Sequence, residues 1–426
     1  MDEYSFKDTE IGGIPKEWGI AKLESIFTPI NLRTRIVLIK PNTKYKLILT
    51  KLYNKGVKLK NVAESNKIKA KFMYYVKEGD FIFSKINVGK GALGFIDNYL
   101  DGSIVSSEHP ILRLDTKIAY QEYIRFYFSQ EHTWKLIKIE AKGFGGKERI
   151  KVREFLKFLI ILPSLDEQTR IAYVLSTIQN AIEIQDKMIE ALQKLKKSMM
   201  HKLFTEGIGN TESKDTEIGR IPKEWNTAKL SDLFFVKHGI SITPNRRSKP
   251  ANFPMLRTLN VYWGKISLDK LDHSWFSEKE IEELNLLNGD LLVCEGGDIG
   301  RTAMWTGQTQ KIGYQNHIHR LRSRINDIYP LFYAYWMQYA IEMRRLYINQ
   351  GNKTTIPNLS QSRLMRFYVV YPPYESQRSI GDILQVIDSR ISTEQDKKEV
   401  IVNLFKTMLN KLMTGHIRVK NLVMPS

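Results

Sequence analysis

Residues 7–27 read KDTEIGGIPKEWGIAKLESIF, and residues 214–234 read KDTEIGRIPKEWNTAKLSDLF; at an offset of 207, 15 of the 21 positions are identical. Chance does not produce such a pair, so the chain carries an internal duplication, and that decides the architecture before any single motif is weighed. Working outward, the copies continue. Gly79-Asp80 heads the apolar run FIFSKINVGKG, and Gly289-Asp290 heads LLVCEGGDIGR. SSEHPILRL (106–114) aligns with GYQNHIHRL (313–321), which sets Arg113 against Arg320. The amphipathic stretch 120–139 has its counterpart at 330–348, and each copy then reaches an apolar strand, FLIILP (158–163) or FYVVYP (367–372). Short alternating strands, Gly-Asp turns and amphipathic helices predict duplicated globular units of the α/β (α+β) class.

A long helical pattern follows each strand. In the first, Ile171, Leu175, Ile178, Ile182, Ile189 and Leu192 recur at spacings of three and four, continued by Met199 and Leu203. In the second, the same register at an offset of 209 holds Ile380, Leu384, Ile387, Ile391, Ile401 and Phe405, continued by Met408 and Leu412. This is a coiled-coil seam. Gln185 and Lys196 interrupt the first seam, and Glu394 and Lys398 the second. The order is therefore unit, helix, unit, helix. Connectivity predicts that the units lie at opposite ends of the first helix and that the second helix runs back antiparallel, a pseudo-twofold circular arrangement. Roughly 35 helical residues at about 1.5 Å each give a spacer of about 50 Å. The alternative is two helices packed separately on their own units.

The chain has 426 residues, with Lys+Arg 65 against Asp+Glu 46, a net charge of +19. Such an excess points to an acidic partner, most often nucleic acid, with an anionic membrane surface or a lysine-rich thermophile-like surface as rivals. The one cysteine, Cys294, excludes an intramolecular disulfide framework and a multi-thiolate zinc site. The N-terminal residues carry no apolar signal core, and even Pro330 to Ile348 is broken by Gln338, Glu342, Arg344 and Arg345, so a cytoplasmic protein without a transmembrane helix is expected.

Strings that hint at catalysis do not hold together. Tyr371-Pro372-Pro373-Tyr374 resembles an adenine amino-methyltransferase string, but Tyr371 cannot supply the carboxylate or amide oxygen that accepts from the target amino group. A proline stop before a helix is the plainer reading. Gly143-Phe144-Gly145-Gly146-Lys147-Glu148 lacks the glycine spacing and the hydroxyl of a phosphate loop. Asp115 with Glu140-Ala141-Lys142 mimics a nuclease triad, without a counterpart in the second copy. His317 and His319 alternate on one strand face with no third ligand, so no metal site is expected.

The blocks IGGIPKEW (11–18) and IGRIPKEW (218–225), the proline-led openings LPSLDEQTRIAYVLS (162–176) and YPPYESQRSIGDILQ (371–385), the ending LFKTMLNKLMTGHIRV (404–419) and the strand and loop GDLLVCEGGDIGRTA (289–303) resemble those of type I restriction-modification specificity subunits. The resemblance spans essentially the whole chain, in order and twice. Ser376 departs from it where the first copy has Glu167, and the loop SKINVGKGALG is less typical than its counterpart. The resemblance implies target-recognition domains at 1–162 and 208–371, a spacer helix at 163–207, and a second spacer helix with the C-terminal tail at 372–426. It implies a non-catalytic subunit that binds double-stranded DNA and two methyltransferase subunits, with restriction subunits in complete systems. Each recognition domain would read one half of a bipartite target, and the helix pair would set the unread gap. S-adenosylmethionine, ATP and magnesium would belong to the partner subunits. A nucleic-acid-modifying enzyme and a non-specific basic coiled-coil scaffold are the alternatives.

Candidate DNA contacts recur at matched places, because phosphates need Lys and Arg while Asn, Gln, Arg and acidic side chains can read base edges. In the first copy these are Lys51, Lys85, Asn87, Lys90, Arg113, Lys147 and Arg149. In the second they are Arg257, Asn260, Glu295, Asp298, Arg301, Gln315, Asn316, Arg320, Lys353 and Arg363.

Overall fold

The computed structural model describes residues 5–140, 149–209, 212–307, 311–346 and 359–424. The chain divides into two compact units. The first comprises Met1–Asp186 with Lys397–Ser426, and the second Lys187–Asp396. Both long helices are divided between the units, so each unit holds one globular part plus a half of each helix.

The globular parts share a frame. In the first unit a four-stranded antiparallel sheet runs Leu93–Phe95, Asp80–Phe83, Ile111–Leu114, Phe27–Pro29. In the second the same order runs Thr302–Met304, Leu291–Cys294, Ile318–Ser323, Phe234–His238. The repeated motif supplies Gly19–Lys22 and Asn226–Lys229, which pair antiparallel with Leu159–Leu162 and Tyr368–Tyr371. Beyond the frame the copies differ. The first unit adds a five-stranded sheet in which Lys44–Thr50 and Val57–Glu64 form a long hairpin with a register shift at Leu47/Ile48. The second adds a three-stranded sheet of Asp272–Ser274, Phe253–Leu256 and Gly313–Tyr314, a short hairpin of Val261–Tyr262 and Lys265–Ile266, and a capped helix at Glu278–Leu284.

The predicted amphipathic stretches are helical but broken. In the first unit Gln121–Ser129 is followed by Glu131–Glu140. In the second, Pro330–Gln338 opens on a proline, where a missing N–H costs nothing, and continues as a π-helical turn at Tyr339–Met343.

The long helices span Leu165–Glu206, 42 residues, and Tyr374–Met413, 40 residues, each longer than the pattern alone suggested. Their seam is present within each unit. In the first, Ile171 and Leu175 at the start of one helix share a core with Leu412 and Met413 at the end of the other, and Phe405 packs against them. In the second, Met200, Leu203 and Phe204 share a core with Ile380 and Leu384. In both units the opening of one helix meets the close of the other, which is an antiparallel arrangement. None of the predicted seam residues is exposed. The two lysine interruptions are ion pairs. Lys398 Nζ lies 2.6 Å from Asp186 in the first unit, and Lys196 Nζ lies 2.7 Å from Asp388 in the second, with Gln338 Oε1 at 3.1 Å. Charged seam positions of this kind select register at some cost in stability. Glu394 is turned to Arg390 one turn earlier, at 2.7 Å. Gly381 has its own reason within the second helix, since a Cβ there would lie 2.8 Å from the Tyr329 ring.

One glutamine anchors each helix to its unit. Gln168 Nε2 donates to the carbonyls of Pro163 (2.9 Å) and Ile118 (3.1 Å), while its Oε1 accepts from the Tyr120 N–H at 2.8 Å. Gln377 does the same with Pro372 (2.9 Å), Asp327 (3.1 Å) and Tyr329 (2.9 Å). Both are fully buried, and a buried amide with its N–H groups and its carbonyl oxygen engaged is stable where an unpaired one is not. The Tyr371-Pro372 string is thereby a strand end and helix lead-in, with Tyr371 Oη donating to Asp327 at 3.0 Å.

Candidate nucleic-acid interface

The Gly-Asp turns are the first matched element near the candidate contacts. Gly79 and Gly289 adopt positive φ (77° and 90°), which lets the chain turn into the strand. The next residue, Asp80 or Asp290, is buried; its carboxylate accepts from the N–H of Lys77 or Leu287, at 2.8 Å in each case. The second function of that carboxylate is a cross-strand ion pair. Asp80 meets Arg113 at 2.8 Å and Arg35 at 3.3 Å, and Asp290 meets Arg322 at 2.6 Å. Arg113 stands opposite Asp80 in the register, and Arg322 stands one step beyond the Leu291–Leu321 pair. The sequence alignment of Arg113 with Arg320 is therefore corrected by two residues. The true counterpart is Arg322.

That correction removes a candidate. Arg320 is 6% exposed, and its guanidinium donates to the carbonyls of Glu283 (2.9 Å) and Asn285 (3.4 Å). Asn260 is likewise interior. It is 6% exposed and ties the Ser267 and Lys270 carbonyls (3.1 and 2.9 Å) to the Arg257 N–H (2.8 Å). Both are turned inward: Asn260 closes its own loop, and Arg320 ties its strand to the Glu283 and Asn285 carbonyls. His319 is buried as well, hydrogen-bonded to the Leu359 carbonyl at 2.8 Å and held below the usual histidine range by burial, whereas His317 is exposed. The two do not share an accessible face. Among the described residues no group of three or more His, Cys, Asp or Glu side chains is placed to hold a metal ion.

In the first unit the chain joins two candidate loops. The Tyr53 N–H donates to the Lys90 carbonyl at 2.7 Å and the Asn54 N–H to Gly91 at 2.9 Å. The exposed side chains of Lys51 and Lys90 thus belong to one stitched pair of loops, with Asn87 half-buried at its base. Lys85 is tied down by contrast, with Nζ donating to the Ser107 carbonyl at 2.7 Å. Arg113 is half-exposed but committed to Asp80, and Arg149 pairs with Glu108 at 2.8 Å. Lys147 and the Gly143–Glu148 string lie outside the described residues. Asp115, the supposed nuclease acid, accepts from the Lys117 N–H at 3.0 Å as a turn cap. Sequence reasoning passed over the lysines of the long hairpin. Lys44, Lys46, Lys58 and Lys60 are all exposed, and the alternating strings KYKL and VKLK were the available signal.

In the second unit a cleft of about 640 Å³ gathers Arg257, Gln315 and Asn316 with Arg246, Arg247, Lys249, His273, Trp275 and His317. Gln315 and Asn316 are positioned by their backbones, whose N–H groups donate to Leu256 (3.0 Å) and Ile240 (2.8 Å), leaving the amides toward the cleft. Lys249 Nζ sits 3.7 Å above the Trp275 ring. Arg246 is spent on Glu280 (2.7 Å), whose carboxyl this hydrogen bond lowers to about 2, so Arg246 builds the wall. Arg257 is half-committed to Asp272 at 2.9 Å. Arg247, Lys249 and Trp275 were not among the sequence candidates, although the basic run Asn245-Arg246-Arg247-Ser248-Lys249 marks them. The remaining candidates lie elsewhere. Glu295 is mostly covered and faces His317 at 3.7 Å, exposed Asp298 faces Arg301 at 3.3 Å, and Arg301 donates to the Thr258 carbonyl at 3.0 Å. Arg363 is exposed on a short helix, and Lys353 lies outside the described residues.

A basic cleft with one indole and two amides can hold phosphates and read base edges. It contains no activated nucleophile, and Cys294 is buried with its thiol pushed up to about 11 by that burial. Among the described residues no helix is long and apolar enough to cross a membrane.

Comparison with known proteins agrees with this geometry. The model for the type I restriction modification DNA specificity domain matches twice, at residues 15–194 and 222–403. The MjaVIII specificity subunit, a type I restriction enzyme subunit of Methanocaldococcus jannaschii, is 28% identical over 99% of this chain and 97% of its own length. The fold is similar to a solved chain described under "Structural basis underlying complex assembly and conformational transition of the type I R-M system" (TM-score 0.58, 14% identity, 95% of this chain and 99% of the other). It is also similar to the type I restriction-modification S subunit from M. genitalium (TM-score 0.52, 17% identity, 93% and 96% covered). With two family matches that together span most of its length, this chain belongs to the type I restriction-modification DNA specificity family.

Proposed function

We propose that this chain reads a bipartite DNA target, one half-site for each of its two recognition segments, on behalf of two methyltransferase subunits and, in a complete system, restriction subunits. It is a non-catalytic specificity subunit, and the methyl donor and ATP chemistry belong to its partners. The recognition segments are assigned to 1–162 and 208–371, and the helices 163–207 and 372–426 fix the unread gap and dock the methyltransferase. The observation that carries this reading is a shared frame bearing unlike attachments. The four-stranded sheet, the Gly-Asp turn and the helix-anchoring glutamine are repeated in both units, while the lysine hairpin of one and the Trp275 cleft of the other differ. A constant frame with variable, basic, polar edges is what two different half-sites require.

In the second unit Arg247 and Lys249 are assigned to phosphate and Gln315 and Asn316 to base edges. In the first, Lys51 and Lys90 with the hairpin lysines are assigned to phosphate. The test is to co-express the chain with its cognate methyltransferase and map modified adenines by long-read sequencing. A split motif with a fixed gap is the expected result. Replacing residues 1–162 by the same segment of a relative should then change one half-site alone, and a change in both would overturn the division of labour.

A further inference from the structure

The repeated motif has a second feature that packing does not explain. Ile14, Pro15 and Trp18 are buried, as are Ile221, Pro222 and Trp225, so their identity in the two copies follows from the core. Glu10 and Glu217 are exposed, yet they are identical too. Substitutions at exposed positions usually change stability little, so stability does not hold these residues constant.

Both glutamates stand at the rim of a cavity. In the first unit a cavity of about 270 Å³ is lined by Glu10, Ile11, Lys157 and Phe158, with Leu23 and Ile137 among its apolar walls. In the second a cavity of about 290 Å³ is lined by Glu217, Ile218, Arg363, Arg366 and Phe367. The offsets are 217 − 10 = 207 for the acids and 366 − 157 = 209 for the bases, the same offsets that relate the copies elsewhere. Each site therefore offers an apolar hollow between a carboxylate and a cation at matched positions, with Arg363 as a further cation at the second. No ion pair within the described residues engages Glu10, Lys157, Glu217 or Arg366, although each is exposed.

We propose that these two cavities are a matched pair of anchor sites, each seating an apolar side chain from one copy of the methyltransferase subunit. A basic group beside that side chain meets Glu10 or Glu217, and an acidic group meets Lys157 or Arg366. The charge pattern selects this occupant. A rim carboxylate repels phosphate, so a nucleic acid is the poorer fit. Two equivalent sites on one chain suit two identical partners, and an apolar anchor between paired charges is the usual form of a protein–protein hot spot. This inference rests on the functional reading above, because it takes the methyltransferase subunit as the partner.

The experiment uses the full chain with its cognate methyltransferase subunit and measures stoichiometry by native mass spectrometry and affinity by titration. Glu10→Lys with Lys157→Glu should reduce two bound copies to one, with at least a ten-fold loss of affinity at the altered site. Glu217→Lys with Arg366→Glu should do the same for the other copy, and the four changes together should lose both. DNA binding by the chain alone should be unchanged. Hydrogen exchange on the unaltered chain gives a second measure, since residues 8–11 and 215–218 should gain protection when the partner binds. Two copies held at undiminished affinity by the variants, or no protection at either segment, would overturn the anchor sites and leave the functional reading intact. Loss of DNA binding with partner binding retained would reassign the cavities to nucleic acid. An unaltered chain that binds no methyltransferase would remove the functional reading itself.

Discussion

The two units close their long helices in different ways, and the contrast shows what a duplication leaves to be solved locally. In the second unit the first long helix ends at Glu206 and the chain continues directly into the strand Ser213–Thr216, so the helix end and the repeated motif are covalently joined. In the first unit the second long helix ends at Met413, and the repeated motif beside it, residues 7–27, is not its direct neighbour along the chain. Instead the tail is held by a buried cluster. Arg418 Nε and a terminal nitrogen meet the Glu167 carboxylate at 2.6 and 2.8 Å, and Trp18 Nε1 donates to the same carboxylate at 2.9 Å. The Arg418 and Glu167 side chains are 2% and 4% exposed. Glu17 adds contacts to Arg418 at 3.0 Å and to Lys420, and Arg170 reaches the Leu422 carbonyl. Ser376 occupies the second copy's version of position 167, where the helix end and the motif follow one another along the chain. The departure from the family pattern at that position thus has a physical reason: a carboxylate is present only where a cation arrives to meet it.

The largest expected effect tests this contrast directly. Glu167→Ser, which makes the first copy like the second, strips the buried Arg418 of its buried counter-charge, leaves it the exposed Glu17, and should destabilise the first unit by about 3 kcal/mol. Arg418→Ala should cost about as much by stranding the carboxylate. Calorimetry should show one transition moved to lower temperature and the other unchanged; equal shifts in both would end the distinction between the units.

Next in size is a change that should treat the units alike. Gln168→Ala and Gln377→Ala each strip one buried N–H and two carbonyls of their partners, at about 1–3 kcal/mol. Similar losses from the two variants would confirm that the frame is repeated energetically as well as geometrically. A loss from only one would show that the copies have diverged in what anchors the helix.

The DNA-facing edges should respond unequally. Gln315→Ala should relax one half-site by about 1–3 kcal/mol and leave the other unaltered. Lys249→Ala should weaken all sequences about evenly and lower the salt slope by about one. Binding titrations over a range of salt concentrations, on duplexes altered in one half at a time, separate the two outcomes.

The smallest effect concerns pH. Arg246 holds the Glu280 carboxyl at about 2, below its ordinary value of 4.5. A lowered folded-state value stabilises, with the contribution fully present above about pH 4.5 and lost as the pH falls toward 2. Among the described residues the first unit has no counterpart of the short helix that carries Glu280. Arg246→Ala should therefore flatten the acid limb of the second unit's unfolding curve only.

Much of this molecule was legible without coordinates. Identity over 21 positions announced the duplication, and the three-four spacing of Ile and Leu announced the helices. Both signals are long-period, repeated and redundant, so no single residue could mislead. The candidate interface was less legible because surface chemistry depends on which neighbour a side chain finds. Lys85, Arg301 and Arg320 looked like available cations, yet each is committed to a backbone carbonyl. The Arg247–Lys249 run, Trp275 and the Gln315-Asn316 pair come from separate segments that only the fold brings to one cleft.

The sequence by itself determined the order of units and helices, the apolar seam and the excess of positive charge, since these follow from periodicity and composition. Only the tertiary structure decided the strand register. A β-strand repeats every two residues, so a slip of two leaves every side chain on its proper face and is invisible to pattern. The backbone ladder settled it: Arg322 meets the buried Asp290 carboxylate, and Arg320, the other cation on that strand, is taken up by the Glu283 and Asn285 carbonyls.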